Sequence, residues 1–203
     1  MAKIKMKKKS MSTDMTAMCD VAFLLLTFFI LTATSKVPEA LPVDTPASTV
    51  ETKLPDSDLA TLTVGKGKVF FDLKGKDVRI KTLELMEEKY GVTFSEGDKT
   101  AFSLMNDFGV PMTSLKSIIE MKGADRSKAD QPGIPQDSLD NQLKDWVFSA
   151  RKANIEVNDK ELQFAIKGDA KEEYPAIRKI MDMLQDQKVN TFSLVTGKRG
   201  HDF

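Results

Sequence analysis

Asp20 is the only charged residue in an otherwise apolar run, 15-MTAMCDVAFLLLTFFILTA-33, which stays uncharged on to Ser35. An ionised Asp near the middle of a membrane helix costs about 2.5–3.5 kcal/mol on insertion scales, so its presence calls for a use. Thr13, Asp20, Thr27 and Thr34 are spaced by seven residues, nearly two full helical turns. Thr16 lies four residues before Asp20 and joins the same stripe. Phe23, Leu25, Leu26, Phe28, Phe29 and Ile30 take the other sides. A polar stripe on a membrane helix faces a bundle interior or a water-filled path. A carboxylic acid held there can take up and release a proton, which makes Asp20 a candidate proton relay. The structural alternative is that Asp20, five residues into the run, reaches back to the interface; its side chain is short for that. One span with one acid cannot complete a proton path, so other chains must supply further helices.

No other constellation carries chemistry. The single cysteine, Cys19, sits inside the apolar run, and the single histidine, His201, lies three residues from the end. Disulfide frameworks, histidine-based catalysis and Cys/His metal sites are therefore not expected, and neither is a cofactor or an enzymatic activity. The stretch 65-GKGK-68 lacks the GxxxxGK[ST] pattern that opens a helix and falls between two strand patterns, so a phosphate-binding role is not expected. Asp125 and Asp130 lie among Lys and Arg in a Gly- and Pro-bearing stretch, which a solvated loop explains. Lys+Arg and Asp+Glu balance at 30 each, and nothing in the bulk charge points to nucleic acid.

The elements that position Asp20 begin with residues 1–12, where MAKIKMKKK holds five Lys and no acid. By the positive-inside rule this end stays in the cytoplasm. A basic start before an apolar segment also describes a signal peptide, with cleavage near 33-ATS-35. The length of the run favours a retained single-pass helix over residues 13–35, since a span needs about 20 residues and a signal core about 7–15. Residues 36–58, with four Pro and many Ser, Thr and acidic residues, read as an extended linker, most simply a tether.

Residues 59–197 read as a small α+β domain, a sheet with helices on one face, and 198–203 as a tail. Leu59 to Leu73 alternates as a hairpin around 65-GKGK-68. The pattern 80-IKTLELMEEKYG-91 predicts a helix with a Gly stop. Two short amphipathic stretches, 100-TAFSLMNDFG-109 and 111-PMTSLKSIIEMKG-123, follow, so about 81–140 forms a helical insertion with an exposed loop over 123–138. Leu139, Leu143, Trp146, Val147 and Ala150 mark one helix face, with Trp146 as a core anchor. Leu162, Phe164 and Ile166 mark a strand. Ile177, Ile180, Met181 and Leu184 mark a helix that Pro175 opens. Phe192, Leu194 and Thr196 mark a last strand whose free edge a second copy of the chain could pair with.

The basic start, the motif 13-TDMTAMCDVAFLLLTFFILTATSK-36 and the Pro-punctuated linker with 41-LP-42 resemble the ExbD/TolR family of biopolymer-transport proteins. The stretches 59-LATLTVGKGKVFFDLKGKDV-78 and 161-ELQFAIKGDAKEEYPAIRKIMDMLQDQKVNTFSLVTG-197 are similar to the first hairpin and the end of that family's periplasmic domain. The long middle looks like the version of the family found in Bacteroidetes, which tilts the resemblance toward the ExbD branch. The resemblance implies that Asp20 is the proton carrier and Thr27, on the same face, its helper. It implies a multi-span partner of the ExbB/TolQ type, a pentameric ring around a pair of these helices, and a TonB-like protein that receives the work. It places the chain in the bacterial inner membrane, with its C-terminal domain in the periplasm and the LP segment regulatory. A membrane-anchored module gripping peptidoglycan or an envelope protein, with a structural Asp20, is the competing reading. A TolR-like envelope-integrity subunit is a further one.

Overall fold

The computed structural model describes residues 15–33, 39–48, 53–126, 129–137 and 140–198. The basic start, Thr13, Thr34, Leu139 and His201 lie outside the described residues. The chain divides into two compact units, Met1–Val37 and Pro38–Phe203.

The first unit contributes one helix, α1, Met15–Thr32. By length and composition it can cross a membrane, and none of it is buried within its own chain. Such an apolar surface is at home in lipid or against other helices, not in water.

The second unit begins with a short strand, β1 (Ala47–Ser48), and the hairpin β2 (Leu59–Gly65) and β3 (Lys68–Leu73). Then come α2 (Lys76–Tyr90), α3 (Glu96–Ser103), α4 (Met112–Glu120), α5 (Gly123–Arg126) and α6 (Gln142–Asn158). It closes with β4 (Gln163–Gly168), α7 (Tyr174–Asp186), β5 (Phe192–Val195) and β6 (Gly197–Lys198). Four strands form a mixed sheet in the order β3-β2-β4-β5. The hairpin is antiparallel, and β4 is parallel to both its neighbours. This is a small α+β fold.

The strand pattern decides which face is core. Leu62 sits opposite Phe71 on one side and Ile166 on the other. Ala60, Val64, Val69, Leu73 and Phe164 share that face, and all are buried. The helices pack there, with Val78, Leu83 and Met86 from α2 and Leu143, Trp146, Val147 and Ala150 from α6. Trp146 anchors the core as its spacing predicts, in ring contact with Phe71, Phe102 and Phe108. The N-terminal turn of α6 is fixed by Asn141, whose side chain accepts from the Lys144 N–H, which satisfies one of the helix's orphan donors.

Three sequence-based expectations change. First, α2 starts at Lys76 rather than near residue 80. A separate insertion over 81–140 would therefore open in the middle of a core helix. The missed turn carries Arg79, which is polar yet buried.

Second, residues 39–48 are docked rather than a loose tether. Leu41 is 6% exposed. The Ala40 N–H donates to Asp107 Oδ1 at 3.1 Å, and Lys167 Nζ meets Glu39 at 2.6 Å. The Ala170 N–H donates to the Asp44 carbonyl at 2.7 Å, and β1 pairs in parallel with β6. Composition signalled an extended segment, and it is extended. It gains its order from groups on the domain that composition cannot show.

Third, the 123–138 stretch is not wholly exposed, because Gln131 and Ile134 are both 3% exposed. Their backbone lies along the sheet edge, where polar main-chain groups find partners.

Candidate functional site

On α1, Asp20 and Thr27 lie about 20° apart around the axis and about 10 Å apart along it, from helix geometry alone. Thr16 completes the stripe within the described residues. Asp20 is exposed, as are Phe23, Leu25, Leu26, Phe28, Phe29 and Ile30 around it. The Thr27 hydroxyl donates to the Leu24 carbonyl at 2.9 Å. That bond satisfies its proton inside the helix and leaves its oxygen lone pairs outward as acceptors. Thr32 does the same with Phe28 at 2.7 Å. The described residues of α1 thus place a carboxyl group and a hydroxyl oxygen on one line of an apolar cylinder.

The α+β domain carries a second polar centre, which sequence reasoning missed. The Arg79 guanidinium donates to the carbonyls of Leu73, Phe102, Met105 and Asn106 and pairs with the Asp72 carboxylate. Burial pushes its proton affinity down, and Asp72 opposes that push. A guanidinium still stays charged in proteins, and its fork of donors suits several carbonyls at once. Arg79 therefore ties α2 to the chain that follows α3. No signal in the sequence marks it, because one Arg on a helix looks like surface until its acceptors converge.

Next to it, burial and the Asp72 carboxylate push the Asp107 carboxyl up from its ordinary value, while the Ala40 N–H pulls it back. Asp107 is one of the groups that hold the docked segment. Asp130, expected in a solvated loop, is exposed but pairs with Lys68 at 2.7 Å. Among the described residues, no group of three or more His, Cys, Asp and Glu is placed to hold a metal ion.

Among the described residues, one helix long and apolar enough to cross a membrane, carrying one acid, is followed in sequence by a small α+β domain. The family model described as "Biopolymer transport protein ExbD/TolR" matches residues 6–199. The chain belongs to the ExbD/TolR family. No match is found among the curated proteins or the solved structures. Membership carries a general role in Ton/Tol energy transduction, as a non-enzymatic transport accessory working with ExbB/TolQ-type and TonB/TolA-type proteins. Together with the one apolar helix it fits a single-pass inner-membrane protein.

Proposed function

We propose that this protein is the ExbD-type subunit of an inner-membrane motor, with Asp20 as its proton carrier. The observation that carries the reading is Asp20 on a fully unburied apolar helix, with Thr27 on the same line, in a chain of this family. Charge on Asp20 is tolerable only where partner helices or water surround it. A pair of these helices inside a pentameric ring of an ExbB/TolQ-like protein would supply that seam, with Thr27 offering an acceptor oxygen along the proton's route. The five N-terminal Lys favour an N-terminus in the cytoplasm, which puts the α+β domain in the periplasm. There it would act on a TonB-like protein and power TonB-dependent transport across the outer membrane. A second copy of the chain would pair at the free edge of β5, where Leu194 is 60% exposed.

The test is Asp20→Asn, which keeps size and hydrogen bonding but cannot titrate. The variant should co-purify from membranes with its multi-span partner in the normal ratio, yet support no TonB-dependent uptake. Uptake at the wild-type level would overturn the proton-carrier role and leave the anchored-module reading. Dissociation of the complex would mean that Asp20 acts in assembly instead.

A further inference from the structure

The two edges of the sheet are treated differently. At β3 the outward carbonyls of Val69, Phe71 and Leu73 accept in turn from the Ile134 N–H at 2.9 Å, the Phe108 N–H at 3.0 Å and the Arg79 guanidinium. The Phe71 N–H donates to the Phe108 carbonyl at 2.8 Å. Both covering stretches lie between α2 and α6, and they are pinned to each other. The Gly133 N–H donates to the Gly109 carbonyl at 2.7 Å, and the Gly109 N–H donates to Gln131 Oε1 at 2.8 Å. Lys68 Nζ adds bonds to Asp130 at 2.7 Å and to the Gln131 carbonyl at 2.9 Å. Gly133 has φ of +96°, and a Cβ there would lie 3.2 Å from both Lys68 Cα and Val69 N. Only glycine lets the cover lie this close to the strand.

At β5, among the described residues, no main-chain bond reaches the outer side of Phe192–Val195. The strand has no charge and no Pro, the devices that normally blunt an edge. The row Phe71–Leu62–Ile166–Leu194 runs straight across the sheet and ends on the exposed Leu194. Another β5, antiparallel across a two-fold axis, continues that row with a second Leu194.

We propose that the segment between α2 and α6 is an edge guard: by occupying the outer edge of β3 it leaves β5 as the sheet's pairing edge, so that assembly between copies closes at two. A sheet with two open edges would instead grow head to tail without closing. The guard rests on the second-copy reading above, and the two can fail separately.

The test uses the full chain in detergent, with solution mass and residue-level amide exchange. Gly133→Val lifts the Gln131–Ile134 part of the cover from β3 and, of the buried core, directly disturbs Ile134. The wild type should keep one closed mass over a wide concentration range, with slowly exchanging β5 amides. Gly133→Val should at least double that mass and rise further with concentration. If Gly133→Val loses its helical circular dichroism, Lys68→Ser with Gln131→Ser removes the pins and should raise the mass in the same direction. A folded guard variant with wild-type mass and protected β5 amides would overturn the guard alone. Fast exchange across Phe192–Val195 in the wild type at every concentration would overturn the pairing at β5, and the guard's purpose with it.

Discussion

At the scale of residues, three polar groups sit where a polar group is costly, and each is resolved differently. Asp20 has an apolar surround on its own helix, and under the proposed function partner helices would supply its compensation. Arg79 takes it from four carbonyls and Asp72. Asp107 is only partly compensated, by backbone N–H groups that include those of Ala40 and Leu41, and burial holds its carboxyl above the ordinary value. An acid whose folded value is raised adds stability below its unfolded value and loses that stability as pH rises through the folded one. Asp107→Asn keeps the acceptor oxygen and removes the charge. The variant should therefore be more stable than the wild type at neutral pH. The gain should shrink to nothing as pH falls through the usual aspartate range. Denaturant melts of the α+β domain at both pH values check the sign; a gain that grows on acidification would refute it. Of these three residues the sequence disclosed only Asp20, because its cost is set by its immediate neighbours. The costs of Arg79 and Asp107 are set by residues distant along the chain.

At the scale of elements, the legible parts were those whose pattern is local. The hairpin, the Trp146 helix and the last strand–helix–strand follow from period-2 and period-3.6 spacing. The docked segment 39–48 was not legible, since Pro-rich, polar chain reads as linker whether or not a sheet face awaits it. Its fit depends on Gly65, at the end of β2. A Cβ there would fall 2.8 Å from Val43 Cγ1 and 3.3 Å from Leu41 Cδ2. Gly65→Ala should push this segment off the sheet with little change to the core on the other face. Amide exchange at Ala40 and Ala170, whose N–H groups hold the segment, should then speed up at least tenfold. Unchanged exchange at both would show that the segment docks without Leu41 and Val43 in place.

At the scale of the whole molecule, the proposed motor would pass energy from a helix bearing one acid to an α+β domain of the same chain, and the energy scale limits how much. One proton crossing about 100 mV releases about 2.3 kcal/mol. A rearrangement costing more than that must draw on several protons per step. The central claim is that Asp20 carries those protons. Its most direct test is proton flux in liposomes holding the chain with its multi-span partner, read by an internal pH dye under an imposed potential. The wild-type complex should acidify the lumen, Asp20→Glu should retain part of the flux, and Asp20→Asn should fall to the level of empty vesicles. Flux through Asp20→Asn equal to the wild type would contradict the account.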